Sequence, residues 1–293
     1  MSTVPASSCT FQNVTLSGVV NVQDQGIVAN VQAAIRRQHP QLWPQAVNRD
    51  LVCLVGGGPS LAETEGELVE LVHQGAKLVT VNGSYAWCLA RNLKPSAQIV
   101  VDARPGNSKF LVPEVPECRY WLASQCAPDV WDTVEGRPWV GIWHAASGDN
   151  VTLKPVLDAY YLKNWAPVVG GSTVILRAIG LLRMLGYVRM HLFGVDSCHL
   201  EGGHHAYAQP ENDTDDRIRI QVGPTARPDL VREFIVSSWH LAQADDFIKF
   251  VKANGDSFLL HVHGRGLLAW LLESGAEIPA PVDADTRPAE QPA

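Results

Sequence analysis

The sequence predicts an α/β fold in which a doubly wound, mostly parallel sheet carries helices on both faces. Three observations predict it. Short apolar runs of strand length recur along the chain, and several are apolar throughout, as strands buried on both faces are. Segments with helical spacing separate them. Glycine, proline or asparagine marks most of the junctions. Strand–helix alternation of this kind builds a parallel sheet with crossover helices.

Residues 1–26 are polar and mixed and read as a loosely ordered arm. IVANVQAAIRRQ (27–38) has apolar residues at helical spacing, and His39-Pro40 stops it. LVCLV (51–55) reads as a buried strand. GGGPS (56–60) follows, then LAETEGELVELVHQG, a helix with Leu61, Leu68, Leu71 and Val72 at its apolar positions and Gly75 closing it. KLVTVN (77–82) is a second strand and YAWCLARN a short helix before Pro95. AQIVVDA (97–103), RYWLAS (119–124) and PWVGIW (138–143) are further strands. STVILRAIGLLRMLG (172–186) is the clearest helix, with Val174, Ile175, Ala178, Leu181, Leu182 and Leu185 on one broad face. VRMHLFGVD (188–196) is a strand ending in Asp196. After a polar stretch (199–229), REFIVSSWHLAQADDFIKFVKANG reads as a strand then a helix, SFLLHVHG (257–264) as a last strand and GLLAWLLESG as a last short helix. The Pro/Ala/acid-rich tail reads as disordered. The chain thus divides into an arm and helix (1–48), an α/β domain (49–272) and a tail (273–293), with no internal repeat.

Composition narrows the function. Of 293 residues, 46% are hydrophobic and 18% charged, which excludes a disordered chain because a core can be buried. The 23 Lys+Arg against 30 Asp+Glu give a net charge of −7, which argues against broad binding to nucleic acid. The six cysteines form no C-x-x-C pair, so neither a zinc ribbon nor a thioredoxin-like motif is present. Cys53 lies in an apolar run and is expected to be a buried thiol. A reducing, cytoplasmic compartment is expected. MSTVPASSCTFQN has no basic or apolar signal-peptide region, and no apolar run reaches the ~18 residues of a membrane span.

In a doubly wound sheet, ligands sit beyond the carboxyl ends of the strands. The residues after each apolar run are therefore the candidates. Gly56, Gly57 and Gly58 let the backbone approach a ligand closely, and the amides opening the next helix favour an anion such as phosphate. Ser60, with Glu63 three residues on, has capping-box spacing, so an ordinary tight turn is the local alternative. The loop is not a P-loop, and Leu61 occupies the last glycine position of G-x-G-x-x-G. Asn82 and Ser84 follow the second strand and can bond a base, ribose or phosphate; an Asn-Gly turn is the alternative. Asp102 can bind a ribose hydroxyl or Mg²⁺, or pair with Arg104. Gly171, Ser172 and Thr173 form a second Gly-rich loop before the strongest helix, with Ser172 as a plain cap the alternative.

LFGVDSCHLEGGHHAY (192–207) gathers the most chemistry. Asp196 ends a strand, and His199, His204, His205 and Tyr207 follow closely. Histidines titrate near neutrality and serve as acid, base or ligand. His204 and His205 are the candidate bases, with Asp196 beside them, and Asp102 and Asp196 are the candidate Mg²⁺ ligands. The spacing is not H-E-x-x-H, so no tight structural metal is expected. His261 and His263 share one strand face, as packing or supporting residues. Trp121, Trp131, Trp139, Trp143, Trp165, Trp239 and Trp270 are assigned to the core.

The ordered set GGGPSL, VNGS, VVDAR and GGSTVILRAIGLLRMLGYVRMHLFGVDS…HHAY resembles the 6-hydroxymethylpterin diphosphokinase MptE-like family over about residues 50–265. SQC (124–126) and HHAY (204–207) look like versions carried by tailed phages. The resemblance implies a Rossmann-like, nucleotide-dependent transferase that moves a diphosphate from ATP to a small hydroxyl acceptor, with Mg²⁺. The plan is also similar to that of Campylobacter-type sialyltransferases, although Gly57 stands where those enzymes commonly carry Asn. That likeness implies a nucleotide sugar as donor. The expected partners are thus a nucleotide and a hydroxyl acceptor, with no membrane; a homo-oligomer and a non-catalytic phage protein stay open.

Overall fold

In the computed structural model, residues 7–11, 14–18, 22–146, 150–201, 203–209, 216–224, 228–254 and 258–275 are described. Of the tail assigned to 273–293, residues 276–293 lie outside them, whereas 273 and 274 belong to the last helix and are not disordered. The elements run β1 (Ser7–Phe11), β2 (Val14–Gly18), α1 (Asp24–Ile35), β3 (Asn48–Val55), α2 (Glu65–His73), β4 (Lys77–Val81), α3 (Ser84–Leu89), β5 (Ala97–Val100), β6 (Arg119–Ala123), α4 (Pro128–Thr133), β7 (Val140–Trp143), α5 (Lys154–Tyr161), α6 (Val174–Met184), β8 (Tyr187–Phe193), β9 (Ile218–Val222), β10 (Arg232–Val236), α7 (Ser238–Asn254), β11 (Leu259–Val262) and α8 (Leu267–Ser274). A 3-10 turn, Pro59–Ala62, precedes α2.

The principal sheet has the order β11-β8-β3-β4-β5-β6-β7, and every pairing in it is parallel. Parallel neighbours bury both strand faces, which is why β3 reads as the unbroken run Val52–Val55, all buried. Cys53 and Val55 join Leu68 of α2 and Trp87 and Cys88 of α3 in one layer. Val52 and Leu54 join the opposite layer, to which α6 contributes Ile175, Ala178, Ile179 and Leu182. Helices therefore cover both faces.

Two departures from the sequence reading lie outside this sheet. The expected arm contains the antiparallel pair β1–β2, so it is not without structure. REFIV is a strand, as expected, but β10 pairs antiparallel with β9 in a separate two-stranded sheet. β9 had been part of the polar stretch: its exposed and buried residues alternate, and half its surface is wet. The short helices α4 and α5 also carry too few turns to show a helical period. Trp131 and Trp143 are core residues as expected, whereas Trp139 is 53% exposed.

Strand order reverses between β3 and β8. β3 leads to β4 on one side, and the chain later returns as β8 on the other. The loops leaving these strands diverge to opposite sides of the sheet and open a crevice between them. Here they also touch. The Gly56 N–H donates to Phe193 O (2.8 Å) and the Gly58 N–H to Gly194 O (2.7 Å). A Cβ at Gly56 would lie 2.5 Å from Gly194 O; one at Gly58 would lie 2.3 Å from an Asp196 carboxylate oxygen and 2.8 Å from Gly194 O. These glycines are thus required by protein backbone, and Gly58→Val would disturb the crevice itself.

That geometry predicts a contrast in stability. Gly56→Ala should destabilise by about 1–3 kcal/mol, because the backbone it meets has no room to yield. Gly66→Ala, inside α2 with nothing within 4 Å, should stabilise by roughly 0.5–1 kcal/mol. Urea midpoints of the two variants check this; equal midpoints would contradict the packing.

Candidate functional site

A small cleft of about 110 Å³ lies at the β3/β8 switch point. Gly56–Pro59 and Gly194–Cys198 form its floor, Thr173–Ile175 one side, and His204, His205, His240 and Trp239 the other. The Gly-rich loop is less of an anion cradle than its sequence suggests. The Ser60 amide donates to an Asp196 carboxylate oxygen (3.0 Å) and Leu61 N to Gly58 O. Of the loop's first amides, only that of Gly57 makes no hydrogen bond to the described protein. Ser60 therefore sits within the 3-10 turn and caps nothing, and Glu63 pairs with Arg265 instead of closing a capping box.

The anion-attracting end is that of α6. Thr173 is its N-cap residue, extended at φ −117° and ψ 161°, but its hydroxyl makes no capping bond. The first-turn amides of Val174, Ile175 and Leu176 have no acceptor within the helix, and the helix dipole places partial positive charge there. The Thr173 and Ser197 hydroxyls in this cleft are buried without partners. Ser197 also has φ +51°, a conformation that non-glycine residues adopt rarely and mostly where a loop is over-determined by its surroundings.

Asp196 is 3% exposed, and burial raises its carboxyl to about 6, against opposition from the Ser60 hydrogen bonds. It holds the Gly-rich loop to the end of β8. Gly264 and Gly266, after β11, pack onto it, and a Cβ at Gly266 would lie 2.5 Å from its carboxylate.

The histidines come together as the sequence suggests, with one addition. His204 and His205 meet edge to face at 4.7 Å, and the Ala206 N–H donates to Gly57 O (2.9 Å), pinning HHAY onto the Gly-rich loop. The Tyr207 side chain fills the slot that Gly57 and Gly83 leave open: a Cβ at Gly57 would lie 2.4 Å from its hydroxyl and one at Gly83 2.7 Å from its ring. His199 and His204 lie 6.0 Å apart, and His240 lies 5.1 Å from His199. The Ser237 N–H donates to His240 Nδ1 (2.9 Å), so neutral His240 carries its proton on Nε2. Burial, then the neighbouring imidazoles His199, His205 and His204, push the His240 pKa well down. His240 is thus a neutral hydrogen-bond donor and a poor base.

Other candidates are placed elsewhere. The buried Ser84 hydroxyl lies 2.7 Å from Val55 O and accepts the Val81 N–H, so it ties β3 to β4 and presents nothing to a ligand. Gly171 lines a cavity on the far side of α6, and the Ser172 amide donates to Asp246 (2.8 Å); of GGST only Thr173 faces the cleft. Asp102 pairs with Arg104 and lines a different cavity from Asp196. No group of three or more His, Cys, Asp or Glu among the described residues is disposed to hold a metal ion. Asp102 and Asp196 thus line separate cavities and are not brought together as the sequence suggests. Asn82 has φ +46°, and its side-chain oxygen is buried without a partner. His263 bonds Glu67 and His191, supporting the β8–β11 edge.

Ser197, Trp239, His240 and Gln243 line the cleft but were not singled out from sequence as site residues. Trp239 had been assigned to the core. Ser197, directly after Asp196, obeys the strand-end rule and could have been found. His240 sits in the first turn of α7, where local sequence carries no such signal.

The profile of one protein family matches residues 27–202, more than half of the chain. The chain belongs to the 6-hydroxymethylpterin diphosphokinase MptE-like family. It is therefore a member of a family named for a transferase. No curated protein sequence matches it significantly. Among solved structures it is similar to the MAf glycosyltransferase from Magnetospirillum magneticum AMB-1, with a TM-score of 0.59 and 14% identity over 86% of this chain. The chain spans 39% of that protein's length. This likeness concerns the fold, which is the expected Rossmann-like one. A mammalian sialyltransferase gives a TM-score of 0.40 at 12% identity, over 82% of this chain and 79% of that one, and is too distant in shape to bear on the site. Among the described residues no helix is long and apolar enough to cross a membrane.

Asp196 makes a pH prediction. Its folded pKa of about 6 lies above the unfolded value near 3.9, so the native state binds the extra proton between those values. Wild-type stability should fall as pH rises from about 4 to about 6. The penalty is on the order of 3 kcal/mol and remains above that window. Asp196→Asn can still accept the Ser60 N–H and should not show this loss. Unfolding free energies at pH 4 and pH 7 measure it; parallel pH profiles for the two proteins would refute the assignment.

Proposed function

We propose that the chain is a nucleotide-dependent transferase acting on a hydroxyl acceptor. The supporting observation is that the N-terminus of α6 opens onto the β3/β8 switch crevice opposite three imidazoles. A phosphate of the nucleotide takes hydrogen bonds from the first-turn amides of α6, the Gly57 N–H and the Thr173 and Ser197 hydroxyls. Neutral His240 donates from Nε2. His204 or His205 accepts the proton of the attacking hydroxyl, a role worth ~10²–10⁴ in rate. In this reading Asp196 positions the Gly-rich loop and does not itself meet the substrate. No step is routed through Mg²⁺.

The family's name implies transfer of diphosphate from ATP, and that is the first form of the proposal. Glycosyl transfer from a nucleotide sugar is the second. It is favoured by the cleft's composition, since imidazoles and a helix N-terminus stabilise a departing nucleotide phosphate without a pair of metal-holding carboxylates.

Thermal unfolding with ATP, CMP and UDP separates these forms, because a ligand at 100 times its Kd stabilises by ~2.7 kcal/mol. His204→Ala and His205→Ala should each bind the preferred nucleotide within about threefold of wild type, and the variant lacking the base should lose ~10²-fold or more in turnover. Absence of stabilisation by every nucleotide would contradict the proposal.

A further inference from the structure

Gln243 lies in the second turn of α7, three residues after His240 and four after Trp239, so the three share the helix face that lines the cleft. It is 6% exposed. Among the described residues its carboxamide has no hydrogen-bond partner. A buried amide without a partner loses its hydration and gains nothing in return, and most buried polar groups are therefore paired. This exception lines a cleft, where a ligand can supply the missing partner.

The next turn of α7 shows what the helix does where a protein partner exists. Asp246, three residues on, accepts the Ser172 N–H at 2.8 Å. Asp246 lines the cavity on the far side of α6, whereas Gln243 lines the cleft. One polar side chain of α7 is thus engaged by the backbone that leads into α6. The other faces the same space as the first-turn residues Val174 and Ile175. The Thr173 and Ser197 hydroxyls, also buried without partners, belong to that space too. Gln243, Thr173 and Ser197 come from three separate elements: α7, the N-cap of α6 and the loop after β8. Their convergence on one helix N-terminus does not follow from the geometry of any single loop.

We propose that Gln243 is a phosphate-binding residue and completes, from α7, the anion site at the N-terminus of α6. The proposal rests on the transferase reading above. The carboxamide nitrogen carries two N–H donors, and one of them donates to a nonbridging phosphate oxygen. The cleft, at about 110 Å³, is well below the ~300–1,000 Å³ of whole small-molecule sites, so it takes the phosphate group and leaves the nucleoside outside. Gln243 therefore recognises the phosphate whatever base it carries.

The test is calorimetry on the full chain with ATP, CMP, UDP and inorganic pyrophosphate, together with the thermal midpoints of the unliganded proteins. Gln243→Met keeps the length of the side chain and removes its donor and acceptor. Gln243→Glu keeps the shape and adds a negative charge. Gln243→Met should bind the preferred nucleotide and pyrophosphate at least about tenfold more weakly than the wild type, and by the same factor for both, as for the loss of a hydrogen bond to a charged group. Its unliganded midpoint should equal or exceed that of the wild type, because no protein partner is lost. Gln243→Glu should weaken both ligands by about a hundredfold or more, through like-charge repulsion. Either variant binding both ligands within about threefold of the wild type, or a loss confined to the nucleotide, would overturn the proposal. So would a lowered midpoint of unliganded Gln243→Met, which would make Gln243 a packing residue. Nucleotide binding that is indifferent to Gln243 removes this assignment alone. Pyrophosphate binding that depends on Gln243, with no binding of any nucleotide, upholds the residue's role and removes the nucleotide reading; a wild-type chain that binds none of the four removes both.

Discussion

The structure depends on the abutment of two strand-end loops. At the switch point, Gly56–Gly58 and Gly194–Asp196 approach so closely that no side chain fits at Gly56 or Gly58. Two backbone hydrogen bonds and the Asp196–Ser60 bond close the contact. The contact consumes the amides that a Gly-rich loop would otherwise present to an anion. In the proposed function that task passes to α6 across the crevice, whose first turn has neither a capping side chain nor an internal acceptor. HHAY then rests on the same loop through Ala206 and Tyr207, which brings the histidines to the crevice.

Burial sets the chemistry of the charged and titratable groups around this contact. Asp196 is removed from water by the loops it joins, so its carboxylate is costly, and it accepts the Ser60 amide that holds those loops together. His240 is held neutral by burial and by the other imidazoles, and the Ser237 amide fixes its tautomer. A neutral imidazole that can only donate is suited to a phosphate oxygen. In the proposed function, His204 and His205 remain for proton acceptance.

The fold was legible because parallel strands buried on both faces are mostly apolar; β3, β6 and β7 are apolar near their carboxyl ends, and Thr80 in β4, Gln98 in β5 and His191 in β8 each interrupt an otherwise apolar end. The strand-end rule then found Gly56, Asp196 and the histidines. It could not tell a residue facing ligand from one facing protein. Ser84 and Ser172 have the residue type and place of ligand contacts, yet one ties two strands together and the other meets Asp246. β9 was hidden because a strand wet on one face, in a small separate sheet, lacks the unbroken apolar signature. His240 was hidden because its place in the cleft comes from tertiary packing of α7.

The measurement that bears most directly on the central claim is a crystal structure of the chain soaked with the nucleotide that stabilises it most. The account predicts a phosphate held between the Gly57 N–H and the first turn of α6, in contact with the Thr173 and Ser197 hydroxyls and within hydrogen-bond reach of His240. A phosphate found in the cavity of Asp102 and Arg104, or beyond α6 beside Asp246, would contradict it.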